Sequence, residues 1–194
     1  MSKETINETE ENLSGSESVK VSIYFWLQAL VMALVSLILI FTLVGRIIGV
    51  DGSSMLPTLH DRDLILLRSV GYTPKQGDIV VLTKEFASVT QPIVKRVIAV
   101  GGQTVKVDQD AGKVYVDGVP LDEPYLGEPM YDTGDPFKTN LEVTVPEGSI
   151  YVMGDNRNHS SDSRDFRLGT VDTRYVLGHA LFILLPIGDF GGIE

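Results

Sequence analysis

The chain contains no cysteine. That excludes disulfide bridges, a thiolate nucleophile and thiolate-held metal. A cysteine-free domain is compatible with an extracytoplasmic location, although the absence says little on its own. Histidine is scarce: His60, His159 and His179 are the three present. They are dispersed, without the spacing of a ligand cluster, so no metal and no cofactor are expected. Basic residues fall short, with 16 Lys and Arg against 26 Asp and Glu and a net charge of -10, which makes nucleic acid an unfavourable partner. No internal repeat is visible.

Charge of either sign is missing from Val21 to Gly45. The dense apolar part, Ile23 to Val44, would span about 33 Å as a helix, close to a bilayer core of ~30 Å. Tyr24 and Trp26 stand near one end, where amphipathic rings favour the interface. A signal peptide has a shorter apolar core, and a buried soluble helix would show a polar face. A transmembrane helix over 21–45 is the expectation, so the lipid bilayer is an expected partner. Residues 1–20, rich in Glu, Ser, Asn and Thr, read as a disordered tail. Lys3 and Lys20 precede the span and Arg46 follows it, so the charge count leaves orientation open.

Residues 46–194 are expected to form one mainly β domain, of a size that can bury a core. Short apolar runs lie at 63–67, 78–82, 92–100, 104–107, 114–116, 142–145, 149–153 and 175–185, with turn residues between them. Residues 120–138, with four prolines, read as a long surface loop.

Three stretches could carry chemistry. In Gly52-Ser53-Ser54-Met55-Leu56-Pro57-Thr58-Leu59 two serines follow a glycine, and a serine needs a base before it can attack. Read alone, this is a nucleophile or a plain turn. Lys95 stands inside the apolar run Pro92–Val100. Facing inward, it would lose solvation and its pKa would fall towards that of a useful base; facing outward, it is an ordinary edge lysine. The run from Gly154 to Arg164 is dense in short polar side chains and is either a polar loop or a site brace. A Ser-His-Asp triad would need a placed histidine. His159, beside Ser160 and Asp162, is the best of the three.

Taken together, these stretches resemble the bacterial type I signal peptidases, Ser-Lys serine proteases. Ser54-Met55-Leu56-Pro57-Thr58-Leu59, Gly77-Asp78-Ile79-Val80, Lys95-Arg96-Val97-Ile98-Ala99-Val100-Gly101-Gly102 and Gly154-Asp155-Asn156-Arg157 with Ser160, Asp162, Ser163 and Arg164 follow that family's order. The single span and small domain are similar to its Gram-positive-type members. The resemblance implies Ser54 as nucleophile and Lys95 as general base. It implies Ser160 as the group that orients Lys95, with Asp162 and Arg164 as braces. The Ser54 N–H would donate to the oxyanion. Gly52 stands where some members carry a second donor, and Arg167 stands where many have glycine. Val50, Gly52, Met55, Leu59, Ile65 and Val94 would line shallow substrate subsites. The implied partners are preprotein signal peptides, cut after an Ala-x-Ala pattern. The implied topology is a cytoplasmic N-terminus, one span, and an extracytoplasmic catalytic domain in the cell membrane.

Two rivals make opposite predictions. The self-cleaving domain of SOS-type repressors has a similar fold and dyad, but should carry a DNA-binding module and no membrane span. A membrane-tethered β-domain without activity should expose Lys95 or hold Ser54 far from it.

Overall fold

The computed structural model describes residues 4–43, 45–87, 89–138 and 142–193. Two compact units divide at Val44 and Gly45. The first is a single helix, α1 (Glu4–Leu43). Its apolar stretch, Val19–Leu39, is long enough to cross a membrane. Every described side chain in that stretch is exposed, as a lipid-facing helix without a packed face requires.

Residues 4–20, expected as a disordered tail, have a helical backbone continuous with the apolar stretch. Extending an existing helix fixes one residue per hydrogen bond, whereas starting one is costly. Glutamates near the amino-terminal end also suit the helix dipole.

Among the described residues the second unit has twelve short strands, all of them paired antiparallel. They are β1 (Gly45–Gly49), β2 (Leu64–Arg68), β3 (Ile79–Leu82), β4 (Ile93–Val100), β5 (Thr104–Asp108), β6 (Lys113–Val116), β7 (Val119–Pro120), β8 (Glu142–Thr144), β9 (Ser149–Met153), β10 (Val171–Asp172), β11 (Val176–Leu185) and β12 (Gly191–Gly192). The larger sheet runs β1-β2-β11-β3-β4-β9-β10, with β12 on β11, and the smaller runs β7-β6-β5-β8.

Burial follows the strand period. In β5 and β6 buried residues alternate with more exposed ones, so that sheet covers a core on one face. All of β3 is buried. Ile79 and Val81 enter one apolar cluster, while Val80 and Leu82 enter another on the opposite face. This two-sided burial explains the unbroken apolar texture of β3.

Strand β1 was not expected. Its Ile47 and Ile48 pair with Leu66 and Ile65 of β2, and the domain therefore begins at Gly45. Apolar strand residues directly after an apolar span leave no compositional boundary to read. Residues 121–138 contain no regular strand but are not purely superficial, since Met130 is buried in the core beneath β5 and β6.

Candidate active site

The turn between β1 and β2 presents Ser54. It is closed at its base by Val50 N–H to Asp63 O (2.8 Å) and Arg62 N–H to Val50 O (2.9 Å). Gly52 sits at φ +89°, where a side chain would be strained, and its N–H donates to Asp61 Oδ1 at 2.8 Å. Met55 and Leu59 anchor the turn in the apolar core. Between these anchors Ser54 is half-buried, while Ser53 is exposed. The Ser54 carbonyl accepts the Asn156 N–H (3.1 Å), and the Ser53 carbonyl accepts Asn156 Nδ2 (3.1 Å). The Ser54 N–H donates to nothing among the described residues.

Lys95 comes from β4, an interior strand held between β3 and β9. It is 2% exposed. Its Nζ lies 2.7 Å from Ser54 Oγ and donates at 2.8 Å to the Val94 carbonyl. Burial strips solvent from the ammonium and lowers its pKa from 10.5 to about 8. The carboxylates of Asp162 and Asp155 oppose that shift, and Arg164 assists it.

The polar run closes around this pair. Arg164 grips Asp162 with Nε on Oδ1 and Nη2 on Oδ2, both at 2.8 Å, and the Gly154 N–H donates to Asp162 Oδ2 at 3.0 Å. Burial works against the charge of Asp162. Even so Arg164, the Ser160 hydroxyl and the Gly154 N–H hold its carboxyl well below the usual carboxylate range. Gly154 is a point of close approach, because a Cβ there would overlap the Ser160 hydroxyl and the Ser54 carbonyl. Asp155 joins three segments. It accepts Arg96 Nε (2.9 Å) and Nη2 (2.8 Å) from β4, and Thr58 Oγ1 (2.5 Å) from the serine turn. The Arg96 guanidinium also stacks 4.0 Å from the centre of the Tyr125 ring. Reasoning from sequence missed Asp155, Arg96, Thr58 and Tyr125 as supports. Arg96 and Asp155 carried a usable signal, each being a charge beside a candidate group, but nothing in the order of residues pairs them across 59 positions.

Two expectations differ from the geometry. Both Lys95 Nζ contacts go to Ser54 and Val94 and none to Ser160, whose hydroxyl lies buried beside the Asp162 carboxylate. The subsite residues also differ from expectation. Met55 (1% exposed), Leu59 (0%) and Ile65 (0%) belong to the core and offer a ligand no surface in this structure; Val50 (6%) and Val94 (7%) offer little, and Gly52 alone is open. The apolar residues that follow a nucleophile turn are also what anchors it, and anchoring consumes their surface.

His159 is exposed, with no hydrogen bond from its ring among the described residues, and His179 stacks on Tyr72 with ring centres 5.0 Å apart. His60, Asp63 and Asp189 gather possible ligand atoms within 4.8 Å of one another, a grouping with no residue in common with the Ser54–Lys95 pair.

The profile of the family "Signal peptidase, peptidase S26" matches residues 23–185, most of the chain. The chain belongs to the signal peptidase family. As a member of the signal peptidase family it is a membrane-anchored serine endopeptidase with a mainly β domain. It is 40% identical over 182 residues to a probable signal peptidase I-1 of Synechocystis, covering 89% of this chain and 86% of that protein. It is 37% identical to a signal peptidase I of Bacillus licheniformis (90% and 95% covered). It is 35% identical to signal peptidase I S of Bacillus subtilis (91% and 96%). A solved signal peptidase I from Enterococcus faecalis aligns with a TM-score of 0.43 at 30% identity, over 56% of this chain and 97% of that one.

Proposed function

We propose that this signal peptidase cuts signal peptides from exported preproteins with Ser54 as nucleophile and neutral Lys95 as general base. The observation that carries the assignment is the 2.7 Å contact between Lys95 Nζ and Ser54 Oγ, with the amine buried. Both features oppose the reading of an inactive tethered domain, and the apolar span opposes the repressor-type reading.

The steps follow from the geometry. Neutral Lys95 accepts the proton of Ser54 Oγ as the oxygen attacks the scissile carbonyl. Negative charge gathers on the carbonyl oxygen, where the uncommitted Ser54 N–H donates. The Lys95 ammonium then gives its proton to the departing amine, and the C–N bond breaks. Water, deprotonated by Lys95, attacks the acyl-serine ester and frees Ser54. Asp162, Arg164 and Asp155 hold the turn, the strand and the polar run in register.

The acyl side of the substrate lies beside Asp51–Ser54 and along Ile93–Lys95. Strand β9 pairs with β4 only from Arg96 onward, which leaves that stretch of β4 without a strand on one side among the described residues. An extended peptide can add there through main-chain hydrogen bonds, with small side chains before the cut (Ala-x-Ala). The amino-terminus is cytoplasmic, the chain crosses once, and the domain works outside the bilayer. Reconstituted protein incubated with a preprotein, followed by mass mapping of the cut, tests the assignment. Ser54→Ala and Lys95→Ala should each abolish cleavage while the domain stays folded. Cleavage by either variant would remove that residue from the mechanism.

A further inference from the structure

A cleft lined by Leu56, Pro57, Gly127, Glu128, Asp155 and Asn156 adjoins the nucleophile turn and has no part in the steps above. It touches Ser54 directly through Asn156, whose N–H holds the Ser54 carbonyl (3.1 Å) and whose side chain holds that of Ser53 (3.1 Å). Its opposite wall is the irregular segment after β7. That wall is firmly fixed to the same elements as the active site. Tyr125 lies under Arg96, the residue after Lys95. Asn158 Nδ2 donates to Glu128 Oε1 (2.8 Å) and to the Pro129 carbonyl (3.0 Å). Gly127 packs so closely that a Cβ would meet Pro57 Cδ at 3.2 Å.

The charge of the cleft is one-sided. Asp155 is neutralised by Arg96. Glu128 is exposed and bonded to a neutral amide, with no basic partner among the described residues. The cleft is therefore a polar, narrow trough with one uncompensated carboxylate, adjoining the reacting serine.

We propose that this cleft binds the first residues after the scissile bond, and that Glu128 favours a cationic side chain there. The inference rests on the assignment of Ser54. Residues before Ser54 and the free edge of β4 are taken by the acyl side. The leaving chain must continue elsewhere from the same carbonyl, and this cleft is built from residues that follow Ser54. A basic side chain at the second or third position after the cut would meet the Glu128 carboxylate. An acidic one would be repelled. The contact is solvent-exposed, so it is modest and weakens as salt rises.

The test uses the full chain in detergent with three preproteins that differ only at the second residue after the cut (Lys, Gln or Glu). The readout is the ratio of kcat/KM between substrates on one enzyme, which does not depend on the folded fraction. The native chain should prefer Lys over Glu by about threefold to fivefold at low salt. Glu128→Gln should bring the ratio close to one, and Glu128→Lys should invert it. Ratios that do not change with the Glu128 substitutions would overturn the proposal. Failure of the Ser54 assignment would look different, since Ser54→Ala would then still cut all three substrates.

Discussion

Lys95 is expelled from water while carrying a group that prefers charge. Its pKa is about 8 in the folded chain, against 10.5 for a lysine free in water. Below pH 8 both folded and unfolded chains hold the proton, and the folded state bears the full penalty of burying it. Between about 8 and 10.5 the unfolded chain alone is protonated, so stability climbs with pH across that window by about 3 kcal/mol in total. Lys95→Met should then abolish activity yet stabilise the domain at pH 7 by about 1–3 kcal/mol, after subtracting the lost hydrogen bonds to Ser54 and Val94. The gain should vanish near pH 10.5. Urea denaturation at the two pH values measures this, and a Met variant less stable at pH 7 would contradict the buried-amine account. Activity runs on the same equilibrium: kcat/KM should fall about tenfold per pH unit below about 8 and level off above it. Lys95→Arg offers no neutral form and should be inactive across the range.

At the scale of elements, the site is a junction of three pieces: the turn after β1, strand β4, and the run after β9. Their adhesive is buried charge. Asp162 is fully buried against Arg164, and Asp155 against Arg96. Removing one partner of such a pair leaves the other charged and unsolvated, at a cost of about 3–5 kcal/mol. Asp162→Asn should lower stability by that order at pH 7. The folded carboxyl titrates well below its unfolded value. The stability it adds is therefore complete above the unfolded pKa near 4 and is lost as pH falls below that. The difference between Asp162→Asn and the native chain should shrink under acid conditions, as thermal melts at pH 7 and pH 3 would record. A constant gap would mean that the pair acts by shape rather than by charge.

For the whole molecule, the unit from Gly45 onward has its own apolar clusters and both sheets. A fragment of residues 45–194 should fold with a β-type circular dichroism spectrum and one cooperative transition. It should cleave a short soluble peptide at close to the native rate. Cleavage of a preprotein held in vesicles should fall, because the anchor raises the local concentration of enzyme at the same surface. An equal loss on both substrates would mean that the helix contributes to the site itself.

Much of this was legible in the order of residues. An uncharged apolar run without a polar face pointed to a span, and the helix over Val19–Leu39 is long and apolar enough to cross a membrane. Short apolar runs bounded by turn residues marked eight of the strands, including β4 around Lys95. The resemblance of four motifs, in their order, to those of the type I signal peptidases pointed to Ser54 and Lys95. What the sequence could not decide was which way each side chain faces. Met55, Leu59 and Ile65 serve the core, because the turn needs anchors as much as the substrate needs walls. Ser160 sits beside Asp162, and the Nζ of Lys95 meets Ser54 and Val94 instead, an arrangement of side-chain directions that the order of residues does not encode. Folding alone brought Asp155 to Arg96 and Thr58, and Tyr125 over Arg96, since such contacts arise from strand pairing and close packing between distant segments. The order of residues thus pointed to the apolar helix and, through its resemblance to a family, to Ser54 and Lys95. Packing of the domain places Lys95 out of water and 2.7 Å from Ser54, where loss of solvent lowers its pKa to about 8.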